Sequence, residues 1–474
     1  MASRVKVRTL EGEELELDRA ECVFLGRSRM AETGYDCSYR RWLQYEWGGT
    51  GLQGAKKKED LVLGSALHWG MEVMLEAAYT NPFGGYSPQE RGELVWGAGE
   101  AAKSEFLQEA SKGLVMQWDE DFENLMPESA AKLVEEQAAL AQALVVAFGL
   151  RHLEGIYERY ELVATEPEIV WLLGQSAGLG KYFVMMSRPD AVLRDRVTGK
   201  LYVVSYKTTQ KVDDLTHLKM EVDPQALTEM MAVRAWMPGE EVAGVLYYYF
   251  SKGTKGFDKG WQAKRYESPL IRPWKSVQMT GPSTPAQFAA KYEWWDQDPQ
   301  GGWHKHTLGK YWQRVESYKE PGLGEWLGWL SEGMVQPGMG IDFLAQAVSD
   351  PQPVLRSIAE QEQWRRTELR EEIGRRVDIE QIEAGILSPE DAFQKRTTAC
   401  FDWQHTCPWF GVCHRGQTVE EGLANGRLRP REPNHPVEFG DGVGEEGEMV
   451  EELISTTNGE MLQEVVSDGA QIRD

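Results

Sequence analysis

The sequence predicts a mixed α/β fold, because the spacing of its apolar residues changes along the chain. Apolar residues recur at helical spacing over residues 59–79, and two further long helices are expected near residues 88–115 and 128–160. From residue 161 the apolar residues alternate with a period of two, which is typical of β-strands. A helix expected over about residues 223–237 interrupts the strands, so the sheet should be flanked by helices.

Individual elements follow from local patterns. Residues 1–20 predict a short pair of polar strands, and an aromatic and basic helix with Cys37 near its start is expected over residues 35–47. A Lys-rich turn between two hairpin strands is expected over residues 251–271. Residues 286–392 are expected to be mostly helical, with a solvated Arg/Glu-rich helix near residues 364–376. The core strands are predicted at residues 161–173, 181–195, 200–209 and 243–251, with a Val-Thr-Gly-Lys turn before the third.

The predicted organisation has seven consecutive segments, each with its own composition or periodicity. The last of them is an acidic segment with few aromatic residues, for which disorder is expected. The segments are N-terminal strands at 1–30, a first cysteine and a histidine-bearing helix at 31–80, a helical insertion at 81–160, the core at 161–250, a hairpin and helical region at 251–395, a cysteine cluster at 396–420, and the acidic tail at 421–474.

The formal net charge of the 474-residue chain is −24 at pH 7. A field of this sign argues against a protein that coats nucleic acid non-specifically, because phosphate groups would be repelled. Residues 431–474 contain twelve acidic residues against two arginines, so the rest of the chain can still form a locally basic groove. The sequence has neither a signal-peptide pattern nor a run of about 18 apolar residues, so a cytoplasmic protein without a membrane segment is expected.

The strand at residues 200–209 carries the first candidate for chemistry. The two-residue period puts Val203, Ser205 and Lys207 on one face of this strand. Asp190 precedes the partner strand, so a hairpin would bring its carboxylate toward Lys207. A carboxylate can hold Mg²⁺ or Mn²⁺, and an ammonium group can orient an attacking water or stabilise developing phosphorane charge. An ordinary ion pair at a sheet edge is the alternative interpretation.

Three motifs in this order resemble those of the PD-(D/E)XK nuclease superfamily. They are Gly64-Ser-Ala-Leu-His68 on a helix, Arg188-Pro-Asp190 before a strand, and Ser205-Tyr-Lys207-Thr-Thr at the end of the hairpin. The resemblance is to the branch that contains RecB-type nuclease domains and the exonucleases of CRISPR adaptation, and it covers roughly residues 35–415. It implies a restriction-endonuclease-like mixed central sheet flanked by helices, with large helical insertions. It also implies that His68 and two acids bind the catalytic metal while Lys207 assists the water.

One position departs from the family pattern. Ser205 stands where the family carries Asp or Glu two residues before the lysine, and a neutral hydroxyl binds Mg²⁺ less well than a carboxylate does. A second acid could come from Glu166 or Glu168, which are expected to share a face of the preceding strand. The backbone carbonyl of Tyr206 is a further candidate ligand.

A second motif matches in part. Gln225 stands where the family often begins a Gln-x-x-x-Tyr helix motif, but residue 229 is Glu instead of Tyr. The departure at Ser205 leaves a second class of function open: a nuclease fold that has lost its chemistry and binds DNA or a partner protein. Ser205 is the residue that discriminates between the two classes.

The cysteines are unevenly placed. Cys400, Cys407 and Cys413 lie within 14 residues of one another and supply three soft ligands, and Cys37 is the natural candidate for the fourth ligand of a tetrahedral centre. This arrangement is similar to the four-cysteine iron-sulfur centre of the same nuclease branch, which implies a [4Fe-4S] cluster that staples the N-terminal and C-terminal segments together. Structural Zn²⁺ and unligated buried cysteines are the alternatives, and a zinc-stapled protein without a nucleic-acid role is the third class of function.

Residues 252–265 interleave basic and aromatic side chains in a pattern that suits phosphate contacts and base stacking on a single strand, although a solvated hairpin tip is the alternative. The predicted function is a Mg²⁺- or Mn²⁺-dependent DNA nuclease, an exonuclease or end-processing enzyme, acting on DNA with a free end or a single strand. The resemblance implies a phage or prokaryotic setting in recombination or repair, with a helicase or recombinase as a partner. The candidate DNA-contacting residues are Lys252, Lys255, Lys259, Trp261, Lys264 and Arg265.

Overall fold

The structure is a computed structural model. It describes residues 4–31, 37–54, 57–80, 83–112, 114–115, 127–209, 212–252, 293–297, 303–307, 347–395, 401–402, 405–406 and 409–431. The strands are β1 Arg4–Arg8, β2 Glu14–Asp18, β3 Cys22–Gly26, β4 Leu52–Gly54, β5 Lys57–Lys58, β6 Leu114–Val115, β7 Tyr160–Thr165, β8 Ile169–Ser176, β9 Lys181–Ser187, β10 Ala191–Asp195, β11 Leu201–Thr209, β12 Val242–Ser251, β13 Glu293–Gln297, β14 Trp303–Thr307, β15 Gln352–Val354, β16 Phe401–Asp402, β17 His405–Thr406 and β18 Leu428–Pro430.

Helices cover most of the remaining described residues. The helix α2 continues into a π-helical turn at Trp42–Glu46, and a second π-helical turn at Gly149–Leu153 joins α5 to α6. The α-helices are α1 Arg27–Ala31, α2 Ser38–Arg41, α3 Glu59–Thr80, α4 Pro88–Ser111, α5 Pro127–Phe148, α6 Glu154–Arg159, α7 Asp214–Val222, α8 Gln225–Trp236, α9 Ile358–Glu383, α10 Pro389–Ala392, α11 Phe410–His414 and α12 Val419–Ala424.

Two five-stranded sheets form the centre of the described molecule. The first has the strand order β2-β1-β8-β9-β3, and the second has the order β15-β12-β11-β10-β7. In the second sheet β10 and β11 are antiparallel, whereas β11 and β12 are parallel and are connected through α7 and α8. Parallel neighbours need such a crossover connection. The predicted mixed α/β fold, with a mixed sheet flanked by helices, is confirmed.

Two segments that were each predicted as one strand are divided between the two sheets. Residues 161–173 form β7 of the second sheet and β8 of the first, and residues 181–195 form β9 of the first sheet and β10 of the second. Pro167 and Pro189 lie at these divisions, and proline has no N–H with which to continue a strand ladder. The chain therefore crosses from one sheet to the other twice at the same place, and Asp190 lies at the second crossing.

The second sheet separates two apolar cores. Val204 and Tyr206 of β11 face a core that is filled by α3, α4 and α5. Leu201 and Val203 face a core that contains α8 and residues of the first sheet. The predicted division of β11 into two faces is confirmed, and each face of the strand is covered by a different set of helices.

The helix α3 lies close against its neighbours at Gly70. A Cβ atom at this position would lie 2.8 Å from Ala102 Cβ of α4 and 2.8 Å from Val145 Cγ2 of α5, so glycine permits the close packing of the three helices.

Among the described residues, Gln137–Arg159 is one helical stretch long and apolar enough to cross a membrane, but 72% of its most apolar window is buried inside the protein. This stretch belongs to the first apolar core.

The N-terminal and C-terminal parts of the described chain pack together. β18 pairs with β4, and Ile379 of α9 shares an apolar cluster with Leu43 and Trp409. The Arg/Glu-rich helix α9 is more than the solvated face that was predicted, because Glu372 is 2% exposed and forms an ion pair with the equally buried Arg41. Residues 293–297 and 303–307 pair as an antiparallel hairpin, where mostly helical structure was expected.

Candidate active site

Asp190 is fixed where the chain enters the second sheet. Its Oδ2 accepts a hydrogen bond of 2.6 Å from the backbone N–H of Tyr206 in β11. Its backbone carbonyl accepts a hydrogen bond of 3.1 Å from the backbone N–H of Glu166, at the other crossing. The side chain is 13% exposed. These bonds hold the carboxylate beside the strand that carries Lys207.

His68 approaches the same carboxylate from α3. Its Nδ1 lies 3.2 Å from Asp190 Oδ1, and its side chain is 32% exposed. The imidazole packs edge-on against Tyr206, with ring centroids 5.9 Å apart. The structure therefore brings together the histidine and the first acid that the sequence predicted as metal ligands.

Ser205 lies on the opposite face of β11, where it is completely buried. Its Oγ accepts a hydrogen bond of 3.2 Å from Gln225 Nε2, at the start of α8. The same amide group donates a hydrogen bond to Glu229 Oε1, one helical turn further along α8. Gln225 therefore connects Ser205, which stands where the family carries an acid, to a carboxyl group from the neighbouring helix.

Glu229 was noted in the sequence only as a departure from the Gln-x-x-x-Tyr motif, and it was not predicted as an acid of the site. It is 8% exposed, and its Oε2 has no hydrogen-bond partner among the described residues. Burial raises the pKa of this carboxyl group to about 7, while the nearby Lys207 ammonium opposes the shift and the nearby Asp190 carboxylate adds to it. The signal in the sequence is the four-residue spacing from Gln225, which places both side chains on one face of α8.

The two acids that were expected on one strand face lie in a turn. Glu166 and Glu168 are in the turn between β7 and β8, where Pro167 interrupts the strand, so they do not share a strand face. Glu166 has a φ of 37°, and its Oε2 lies 3.3 Å from Arg188 Nε. Glu168 is exposed. The neighbouring Glu72 of α3 has a pKa that burial, together with the charge of Glu166, raises to about 7.

The polar groups around Asp190 are compatible with a hard cation. Within the described part of the chain, no three His, Cys, Asp or Glu side chains are grouped so that they could hold one metal ion. Mg²⁺ does not require such a group, since it usually keeps several waters and binds through one or two carboxylates. A buried carboxylate oxygen of Glu229 without a partner, in the field of Asp190, is the kind of oxygen that such a cation would satisfy.

Two of the four predicted cluster cysteines lie in one apolar cluster. Cys37 is 8% exposed at the start of α2, and its Sγ lies 3.7 Å from the carbonyl oxygen of Gln394. Cys413 of α11 packs against the same cluster and is partly buried. Cys400 and Cys407 lie outside the described residues.

Most of the predicted DNA-contacting segment also lies outside the described residues. Lys252 is the first residue of this segment and directly follows the end of β12. Its backbone N–H donates a hydrogen bond of 2.8 Å to the carbonyl of Thr209, at the end of β11. The segment therefore leaves the sheet beside the strand that carries Lys207. The residues outside the described ranges are Lys255, Lys259, Trp261, Lys264 and Arg265.

The mixed second sheet carries Lys207 on β11 and has Asp190 directly before β10, which is the arrangement expected of a nuclease core. In agreement with it, the family model of the PD-(D/E)XK nuclease superfamily matches residues 30–414. Because the match spans most of the chain, this protein belongs to the PD-(D/E)XK nuclease superfamily. No curated protein matches the sequence.

Proposed function

We propose that the protein is a metal-dependent deoxyribonuclease, an exonuclease or end-processing enzyme of the RecB-like branch, with Glu229 as the second acid of its active site. The observation that carries this proposal is the position of the Glu229 carboxyl group. It is buried in the field of Asp190 and Lys207, and Gln225 connects it to Ser205. An acid from α8 would thus replace the metal-binding acid that β11 lacks.

Each residue of the site has a role in this proposal. Asp190 and Glu229 would hold Mg²⁺ or Mn²⁺ as its two carboxylates, with waters in most of the other positions. His68 and the backbone carbonyl of Tyr206 would contact the cation directly or through one of those waters. A bound divalent cation supplies Lewis-acid stabilisation of the phosphoryl oxygens and a more acidic water. The Lys207 ammonium orients the attacking water and stabilises negative charge that develops on the phosphate.

The alternative function, a nuclease fold that only binds DNA or a partner, rested on Ser205. The surroundings of Ser205 favour the enzyme. A site that had lost its second acid would not need a buried carboxyl group beside it, because burying such a group without a compensating partner is costly. Glu229 is buried there nonetheless.

Cleavage of end-labelled single-stranded and double-stranded DNA, with Mg²⁺ or Mn²⁺, tests the proposed activity. We expect metal-dependent cleavage by the parent protein and a loss of about 100-fold or more in Lys207→Ala, since the ammonium group assists in the transition state. Ser205→Asp is expected to give no gain, because Glu229 already supplies the acid. An inert parent that still binds DNA, and whose Ser205→Asp variant cleaves it, would establish the binding-only alternative instead.

We further propose that Cys37, Cys400, Cys407 and Cys413 hold a [4Fe-4S] cluster. The placement of Cys37 and Cys413 in one apolar cluster, between the N-terminal and C-terminal segments, supports this proposal. Such a cluster would cross-link two segments that are far apart in the sequence, and so restrict the unfolded chain. Structural Zn²⁺ remains the competing metal for the same thiolates.

Anaerobically purified protein is expected to be brown, with a broad absorbance near about 400 nm that a zinc site lacks. Cys413→Ala is expected to lose the bound iron and to lower the melting temperature, because one ligand of the cluster is removed. Cys22→Ala is a matched control, since Cys22 lies in β3 and outside the cysteine cluster. Colourless protein with stoichiometric zinc would assign the centre to zinc.

We also propose that the segment from Lys252 to Arg265 contacts single-stranded or end-containing DNA near the active site. Its exit from β12 beside the end of β11 supports this assignment. A phage or prokaryotic recombination or repair setting, with a helicase or recombinase as partner and a cytoplasmic location, accords with the proposed nuclease activity.

A further inference from the structure

Three buried polar atoms lie along the contact between α8 and the second sheet. They are Gln225 Oε1, Glu229 Oε2 and the hydroxyl oxygen of Tyr247, and none of them has a hydrogen-bond partner among the described residues. Tyr247 is completely buried, and the other two residues are 7% and 8% exposed. Buried polar atoms in folded proteins are nearly always satisfied, so three such atoms in one region need an explanation.

The register of the sheet brings these atoms to one place. Tyr247 of β12 is the direct neighbour of Ser205 of β11, and both side chains lie on the α8 side of the sheet. The amide of Gln225 donates hydrogen bonds to Ser205 and to Glu229. The other side-chain oxygens of Gln225 and Glu229 therefore lie in the same contact between α8 and the second sheet. Burial raises the pKa of Tyr247, and the charge of Glu229 contributes to the shift, as expected for neighbouring groups.

The chemistry of the three atoms is complementary. The tyrosine hydroxyl can donate one hydrogen bond, whereas the amide oxygen and the carboxylate oxygen can only accept. A single buried water can accept the hydrogen of the tyrosine and donate its own two hydrogens to the two acceptors, and the carboxylate oxygen keeps a second lone pair for a cation. Buried waters in proteins typically make about three such bonds.

We propose that Tyr247 is a positioning residue, which holds the Glu229 carboxylate through one buried water that it shares with Gln225. This inference rests on the proposed role of Glu229 in metal binding. The bond would fix the carboxylate in the orientation that faces Asp190 and Lys207. Groups that orient a metal ligand without touching the metal typically change its affinity by about 10-fold to 100-fold.

Direct titration with Mn²⁺ by calorimetry, on the full-length protein, is the first test. Tyr247→Phe removes only the hydroxyl group, and we expect it to raise the Kd for Mn²⁺ by about 10-fold while cleavage at saturating Mn²⁺ stays near the parent rate. Tyr248→Phe is the matched control, because Tyr248 is the next residue of β12 and faces the other apolar core. It is expected to leave the Kd unchanged. An unchanged Kd in Tyr247→Phe, with a parent that binds Mn²⁺ and cleaves DNA, would overturn this inference and leave the proposed function standing.

A second measurement does not depend on nuclease activity. In metal-free protein, Tyr247→Phe is expected to lower the melting temperature in the parent but not in a Glu229→Met background, because the shared water loses its role when the carboxylate is absent. If the shift caused by Tyr247→Phe depends on Glu229 but the parent neither binds Mn²⁺ nor cleaves DNA, the proposed function is refuted. The water-mediated contact between Tyr247 and Glu229 would then still be supported. Equal shifts in both backgrounds, or a higher melting temperature in Tyr247→Phe, would mean that the hydroxyl group has no such partner.

Discussion

Glu229→Gln is expected to reduce metal-dependent DNA cleavage by about 100-fold or more, which corresponds to about 2.7 kcal/mol of transition-state stabilisation. The substitution keeps the size of the side chain and its contact with Gln225, but removes the negative charge that would hold the cation. Cleavage rates measured over a range of Mg²⁺ concentrations check the expectation, because the loss of a ligand also raises the concentration needed for half-maximal activity.

Glu166→Gln is the matched control, since Glu166 is one of the two acids that the sequence offered for this role. It pairs with Arg188 and is expected to retain most of the activity. A large loss in Glu166→Gln together with an active Glu229→Gln would assign the second acid to the turn between β7 and β8. In the Glu229→Gln background, Ser205→Asp is expected to recover part of the activity, because it returns a carboxylate to the strand position that the family uses.

Glu229→Gln is also expected to stabilise the metal-free protein above neutral pH. Burial raises the pKa of Glu229 to about 7, so the folded state binds a proton more tightly than the unfolded chain does. Stability therefore falls as pH rises from about 4.5 to about 7 and stays lower above that range. Glutamine cannot ionise, so melting temperatures at pH 8 without metal should be higher for Glu229→Gln than for the parent. An acid that is kept at a cost to stability is typical of a functional site.

The part of the site that lies on one hairpin could be predicted from the sequence. The alternation along β11 separates Ser205 and Lys207 from Tyr206, and the turn before β11 brings Asp190 beside it. These relations are local, because strand period and turn residues determine them within about twenty residues. The fold class could be predicted for the same reason.

The position of Glu229 could not be predicted in this way. Its approach to Lys207 depends on the crossover between β11 and β12, which lays α8 against the face of the sheet that carries Ser205. A periodic pattern indicates that α8 is a helix, but it does not specify which residue of another element a given turn will meet. The two crossings at Pro167 and Pro189 were missed for a related reason, since continuous apolar alternation concealed a change of sheet.

The burial of Glu372 is a tertiary effect of the same kind. Charged residues dominate α9, and a solvated face was therefore expected. Arg41, the partner of Glu372, is 331 residues away in the sequence, at the end of α2. Arg41 donates hydrogen bonds of 2.8 and 2.7 Å to the two carboxylate oxygens of Glu372, and both side chains are at most 2% exposed. The pair joins α9 to the segment that contains Cys37.

Arg41→Met is expected to destabilise the protein by about 3–5 kcal/mol, because it leaves the buried carboxylate of Glu372 without its main partner. Urea unfolding of the parent and the variant at pH 7 measures the change. Arg194→Met is the matched control, since Arg194 forms a comparable pair with Glu240 at the surface. It is expected to cost at most about 1 kcal/mol.

The double variant Arg41→Met, Glu372→Leu is expected to recover most of the lost stability, because the Glu372 carboxylate is removed with its partner and the buried Glu46 keeps its ion pair with Arg29. The pH dependence gives an independent check. Burial acts to raise the pKa of Glu372, but Arg41 and the neighbouring Arg375 overcome this effect and lower the pKa to about 2. A carboxyl group with a lowered pKa stabilises the folded state above about pH 4.5, and this contribution is lost as the pH falls toward about 2. The parent should therefore lose more stability than the double variant between pH 5 and pH 3, whereas parallel losses would mean that the pair contributes nothing to acid stability.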